Sequence, residues 1–93
     1  MGKYFVEITD EARKELKNHF RSGNKSVIKK IEKILLELTE TPFSGEGKPE
    51  QLKHNYSGYW SRRINQKDRI VYRVEEEIVM VYVVSAMGHY HDK

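Results

Sequence analysis

The sequence contains no cysteine. Neither a disulfide framework nor a thiolate metal site can be built from it, and a reducing compartment, the cytoplasm by default, is the expected home. Proline is confined to Pro42 and Pro49, both within the stretch Thr41 to Glu50. No apolar run approaches the roughly 20 residues that a bilayer-spanning helix requires. Met1 to Asp10 lacks the basic stretch and apolar run of a signal peptide, and no membrane association is expected. A chain of 93 residues buries too little surface for two cores, so one domain covering residues 1–93 is expected.

Charge is unevenly placed. The segment Lys48 to Arg73 carries seven Lys or Arg against two acids, Glu50 and Asp68, whereas the rest of the chain holds ten basic residues against twelve acidic ones. Such a segment fits a polyanion, and equally a solvated sheet face.

Local patterns give an order of elements. Lys3 to Ile8 reads as a strand. Thr9 and Asp10 are capping candidates for a helix over Asp10 to Ser22, with Ala12, Leu16 and Phe20 as its apolar stripe and Gly23 as its left-handed stop. Asn24 can cap a second helix, whose broad apolar face of Val27, Ile28, Ile31, Ile34, Leu35 and Leu38 suits packing on a sheet. Thr41 to Glu50 has too many breakers for regular structure and reads as a loop pinned by Phe43. Tyr59 to Ile64, Arg69 to Val74 and Ile78 to Ser85 then form an antiparallel meander, the last strand lying inside the sheet. The expectation is an α+β domain: one strand, a helical hairpin and three further strands, with the helices covering one sheet face and the other left open.

Cleavage of RNA without a metal needs a base for the 2′-hydroxyl, an acid for the leaving oxygen and cations for the phosphate. The chain offers Glu46 and Glu50 as bases, His54, His89 and His91 as acids, and Arg62, Arg63 and Arg69 as phosphate contacts, with Tyr56, Tyr59 and Tyr90 as stacking candidates. Each also has an ordinary structural explanation, as loop surface, strand decoration or chain end. Trp60 and Tyr72 read as sheet packing. No ligand set has recognisable metal spacing, and neither a metal nor another cofactor is expected.

The stretch TPFSGEGKPEQLKHNYSGYWSRRINQKDRIVYRV, Thr41 to Val74, covers over a third of the chain. It resembles the segment that marks the YoeB branch of the RelE/ParE toxin superfamily, and the helical front half and the terminal His-Tyr pair fit the same family. The resemblance implies a RelE-like fold and a ribosome-dependent messenger-RNA endonuclease held inactive by a YefM-type antitoxin. It further suggests a homodimer, with DNA engaged only indirectly, through the antitoxin. It places Glu50 as general base or as a group orienting the 2′-hydroxyl, Arg69 on the phosphate, His89 as general acid and Tyr90 as positioning the phosphate or helping the proton transfer, with Lys48, Lys53, Arg62 and Arg63 as RNA contacts. Relatives often carry a Cys, an Arg and an aromatic residue before the His-Tyr pair, where this chain has Ala86, Met87 and Gly88. Two other functions compete: a ParE-like toxin acting on DNA gyrase, and an RNA-binding module that cuts nothing. The nuclease requires Arg69 on the open face, with Arg63 expected beside it. A four-residue turn would put them on opposite faces, so a three-residue or bulged turn is expected.

Overall fold

Strand β1 (Phe5–Ile8) runs directly into helix α1 (Asp10–Ser22), and Thr9 makes the transition: its hydroxyl accepts the Ala12 N–H at 3.2 Å. Gly23, with φ 74°, stops the helix in the left-handed region that a side chain disfavours. Asn24 then starts α2 (Lys25–Leu38) by accepting the Val27 N–H at 3.2 Å. The computed structural model describes residues 3–53 and 56–87.

The remaining strands are β2 (Glu50–Gln51), β3 (Tyr59–Arg63), β4 (Arg69–Glu75) and β5 (Met80–Ser85). They join β1 in one mixed sheet of order β1-β5-β4-β3-β2, in which only the β1–β5 pair is parallel. The expected α+β architecture is therefore present, with β5 inside the sheet. The two-residue β2 falls at the end of a stretch expected to be loop, and β5 starts later than expected because Glu76–Ile78 forms a 3-10 turn and Val79 sits at φ 47°.

Alternation assigns the two faces. Ile70 and Tyr72 of β4, with Val81 and Val83 of β5, meet Leu16, Ile31, Ile34 and Leu38 of the helices in the core, and Val6, Ile8, Trp60 and Val74 pack against it. Arg63, Arg69 and Glu50 belong to the other set of positions. Cross-strand pairing places Arg63 directly opposite Arg69, so both arginines share the open face as expected. As in the expected three-residue turn, Asn65 to Lys67 lie between Ile64 and Asp68, which are joined by the Ile64 N–H to Asp68 O bond at 2.9 Å, while the ladder pairs end at Arg63 and Arg69. Inside it the Asn65 side chain accepts the N–H groups of Lys67 and Asp68, at 2.8 and 2.7 Å. Any odd connection preserves this parity.

The buried side of α1 differs from its expected stripe. Ala12 and Leu16 are buried, but Phe20 is 42% exposed, and the polar Glu15 and His19 complete the inner face. Unfolding in urea should separate the two assignments: Leu16→Ala is expected to cost about 2–5 kcal/mol, as for a core truncation, and Phe20→Ala no more than about 1 kcal/mol.

Candidate active site

The two arginines of the WSRRI run are adjacent, and strand alternation sends them to opposite sides of the sheet. Arg62 faces inward and is fully buried, which corrects its assignment as an RNA contact. Its guanidinium spends all of its N–H groups inside the protein. Nε donates to the Tyr72 hydroxyl at 3.2 Å, and Nη1 donates to Glu37 Oε1 at 2.7 Å and to the Glu46 carbonyl at 3.4 Å. Nη2 donates to the carbonyls of Thr41 and Ser44. The Tyr72 hydroxyl in turn donates to the Pro42 carbonyl. Strand β3 thus grips the breaker-rich loop from below, and Trp60 meets Phe43 with ring centroids 5.0 Å apart.

Glu37 balances this buried cation. Burial pushes its carboxyl pKa up, but the Glu46 N–H at 2.8 Å and the Arg62 guanidinium outweigh that effect and hold it below the ordinary carboxylate value. Burial raises the pKa of Tyr72, with Arg62 opposing. Glu46, a candidate base by sequence, turns toward α2, with Lys30 and Lys33 at 3.6 and 3.7 Å.

Held in this way, the loop folds across the edge of β3. The Arg63 N–H donates to the Gly47 carbonyl at 2.7 Å, and a Cβ on Gly47 would lie 2.8 Å from the Arg63 carbonyl oxygen. Lys48 follows at φ 52°, a left-handed conformation that costs a non-glycine residue free energy and recurs at functional sites. Glu50 then pairs with Ser61 in the β2–β3 ladder. The result is an open depression of about 310 Å³ lined by Lys48, Pro49, Glu50, Ser61, Arg63 and Arg69. Three cationic side chains and one carboxylate line it. Like charges directly opposite in a sheet repel, so the Arg63–Arg69 pair favours an anion between or above its guanidinium groups.

The structure therefore gathers Lys48, Glu50, Arg63 and Arg69 into one pocket. Lys53 is exposed beyond β2 and does not line it. His54, His89, Tyr90 and His91 lie outside the described residues. The role of Arg62 in shaping the loop was not anticipated; the signal available was the inward register that β3 shares with Trp60.

Glu37→Gln should destabilise the protein by about 1–3 kcal/mol at pH 7, because a buried guanidinium loses its charged acceptor. The carboxyl is held below 4.5 in the folded protein. Its contribution is complete above that unfolded-state value and disappears as pH falls through the lower folded one. Urea titrations should accordingly show the gap between wild type and Glu37→Gln closing as the solution is acidified below 4.5.

Residues 8–90 match the family model described as a YoeB-like toxin of bacterial type II toxin-antitoxin systems. Toxin YoeB of Escherichia coli O6:H1 is 44% identical over 63 residues, covering 68% of this chain and 75% of the relative. A solved YoeB/ParE toxin from Agrobacterium tumefaciens superposes with a TM-score of 0.81 at 32% identity, over 92% of this chain and 99% of that one. The YoeB-YefM complex from Staphylococcus aureus gives 0.76 at 35% identity, over 94% and 98%. The chain belongs to the YoeB-like toxin family of bacterial type II toxin-antitoxin systems.

Proposed function

We propose that the open face is the active site of a ribosome-dependent messenger-RNA endonuclease. The observation that carries this reading is the Arg63–Arg69 cross-strand pair beside Lys48 and Glu50, a cationic pocket built around one carboxylate. A phosphodiester fits such a charge pattern, and no nucleophile from the protein is needed.

Glu50 takes the proton from the 2′-hydroxyl as that oxygen attacks the adjacent phosphorus. The bond from phosphorus to the 5′-oxygen breaks, and a proton supplied by His89 goes to the departing oxygen. A cyclic 2′,3′-phosphate and a free 5′-hydroxyl result. Arg69 and Arg63 carry the charge that accumulates on the non-bridging oxygens, with Lys48 at the rim and Tyr90 beside the acid. Lys53 contacts RNA outside the pocket. Neither metal nor other cofactor enters these steps. A YefM-type antitoxin, of the kind found in the YoeB-YefM complex of the Staphylococcus aureus relative, inhibits the toxin in this reading by folding over the cationic face; a homodimer belongs to the same reading.

Induction of the wild type beside Glu50→Ala and His89→Ala, with cut sites mapped on a translated message, tests the central claim. Wild type should cut, and both variants should fail. Intact message alongside falling gyrase activity would instead support the ParE-like function, and toxicity unaffected by either substitution would support binding without cleavage. In quantitative assays Arg69→Ala should lower kcat on the order of a hundred-fold, as for loss of a donor that acts on transition-state charge. Lys53→Ala should chiefly weaken RNA binding, reducing the slope of log affinity against log salt by about 0.7, the single-strand value for one phosphate contact.

A further inference from the structure

One group of side chains on the open face has no part in the chemistry above. Tyr59 of β3, Arg73 of β4 and Tyr82 of β5 are cross-strand partners in one row, Tyr59 opposite Arg73 and Arg73 opposite Tyr82. Alternation turns all three away from the helices, since their strand neighbours Trp60, Tyr72, Val74, Val81 and Val83 pack in or against the core. All three remain partly exposed. The Arg73 guanidinium carbon lies 4.4 Å from the centre of the Tyr82 ring, and Tyr56 meets Tyr59 edge-on with centroids 6.1 Å apart. The row is therefore a surface of aromatic rings with a planar cation in its middle, the kind of platform on which an unpaired base stacks.

The charge around this row suits a base and not a phosphate. Arg73 forms an ion pair with Glu75, and Tyr82 stands opposite the exposed Glu7 of β1. Glu76 and Glu77 continue the acidic end just past β4. A phosphate moving onto the row would meet these carboxylates, whereas a neutral base meets no such repulsion. The pocket has the opposite character, with Lys48, Arg63 and Arg69 around one carboxylate. The open face is thus divided, with cations for a phosphate at one end and rings for a base at the other.

Strand geometry fixes the interval between the two ends. On this face one pair, Ser61 with Val71, separates Arg63–Arg69 from Tyr59–Arg73. The row therefore stands about 13 Å along β3 from Arg63, and Ser61 between them lines the pocket. We infer that Tyr59, Arg73 and Tyr82 form a nucleobase subsite, which holds one unpaired base of the RNA strand by stacking, at a set distance from the phosphate bound in the pocket. This rests on the cleavage reading proposed above. Every base has a π face, so the subsite registers the position of the strand rather than the identity of the base.

The test is single-turnover cleavage on ribosomes programmed with a short message in which one abasic nucleotide is moved position by position past the cut, using wild type, Tyr59→Leu and Tyr59→Phe. On the unmodified message Tyr59→Leu should raise the toxin concentration for half-maximal rate on the order of ten-fold, the scale of one lost stack, at an unchanged saturating rate. Tyr59→Phe, which keeps the ring, should match wild type. For wild type the abasic nucleotide should bring the same loss at one position, and there Tyr59→Leu should add nothing further. Should Tyr59→Leu melt below the assay temperature, Arg73→Met replaces it with the same expectation. Wild-type cleavage by the ring-less variant, an equal loss in Tyr59→Phe, or losses that multiply at every position would each overturn the subsite while leaving the nuclease reading intact. Unaltered cleavage by Tyr59→Leu with weaker binding of a YefM-type antitoxin would give the row to the antitoxin instead. A wild type that leaves the unmodified message whole would end both readings.

Discussion

The buried Arg62 guanidinium is the interaction on which the rest of this structure depends. A fully buried cation is tolerated only when its charge and every N–H group are matched, and Glu37, Tyr72 and three loop carbonyls supply the match. The same bonds couple two things that the sequence keeps apart, the hydrophobic core and a loop rich in proline and glycine. Without Arg62 the loop would have little reason to hold one conformation, since its own composition opposes regular structure. With it, Lys48 and Glu50 take fixed places beside β3.

A second constraint is parity. The β3–β4 connection has an odd number of residues, so Arg63 and Arg69 share a face and Arg62 cannot join them. One insertion in this connection would exchange an open-face side chain for a buried one. The Asn65 side chain, which accepts two backbone N–H groups, holds the connection to its length. The repulsion between the two arginines is thereby built in.

Much of this was legible in the sequence. Helix boundaries followed from Thr9, Gly23 and Asn24, and strand positions from their β-branched and aromatic residues, because these are local preferences. What failed was long-range. The apolar spacing of Ala12, Leu16 and Phe20 pointed to a stripe that the fold rotates, because the space facing α1 is bounded by the Ala86 backbone and calls for hydrogen-bonding side chains rather than an aromatic ring. Arg62 and Arg63 are chemically identical in the sequence, and only strand register tells the buried one from the one on the open face. The two-residue β2 escaped notice because two residues carry no periodicity. Glu50, Arg63 and Arg69, in contrast, are legible from residue type, since phosphate chemistry limits what can serve, whereas Lys48 is singled out only by the resemblance of the Thr41 to Val74 stretch.

The close approach at Gly47 has a genetic consequence. Its Cα hydrogen faces the Arg63 backbone, and with φ at 86° no other residue fits without moving the strand or the loop. Nearly every change in the first or second base of a glycine codon replaces the residue, so this codon is a broad target for distortion of the pocket. Such an allele would keep the helical core and much of the folded surface while distorting the wall that holds Lys48. A single base change could thus reshape this wall while leaving most of the protein in place.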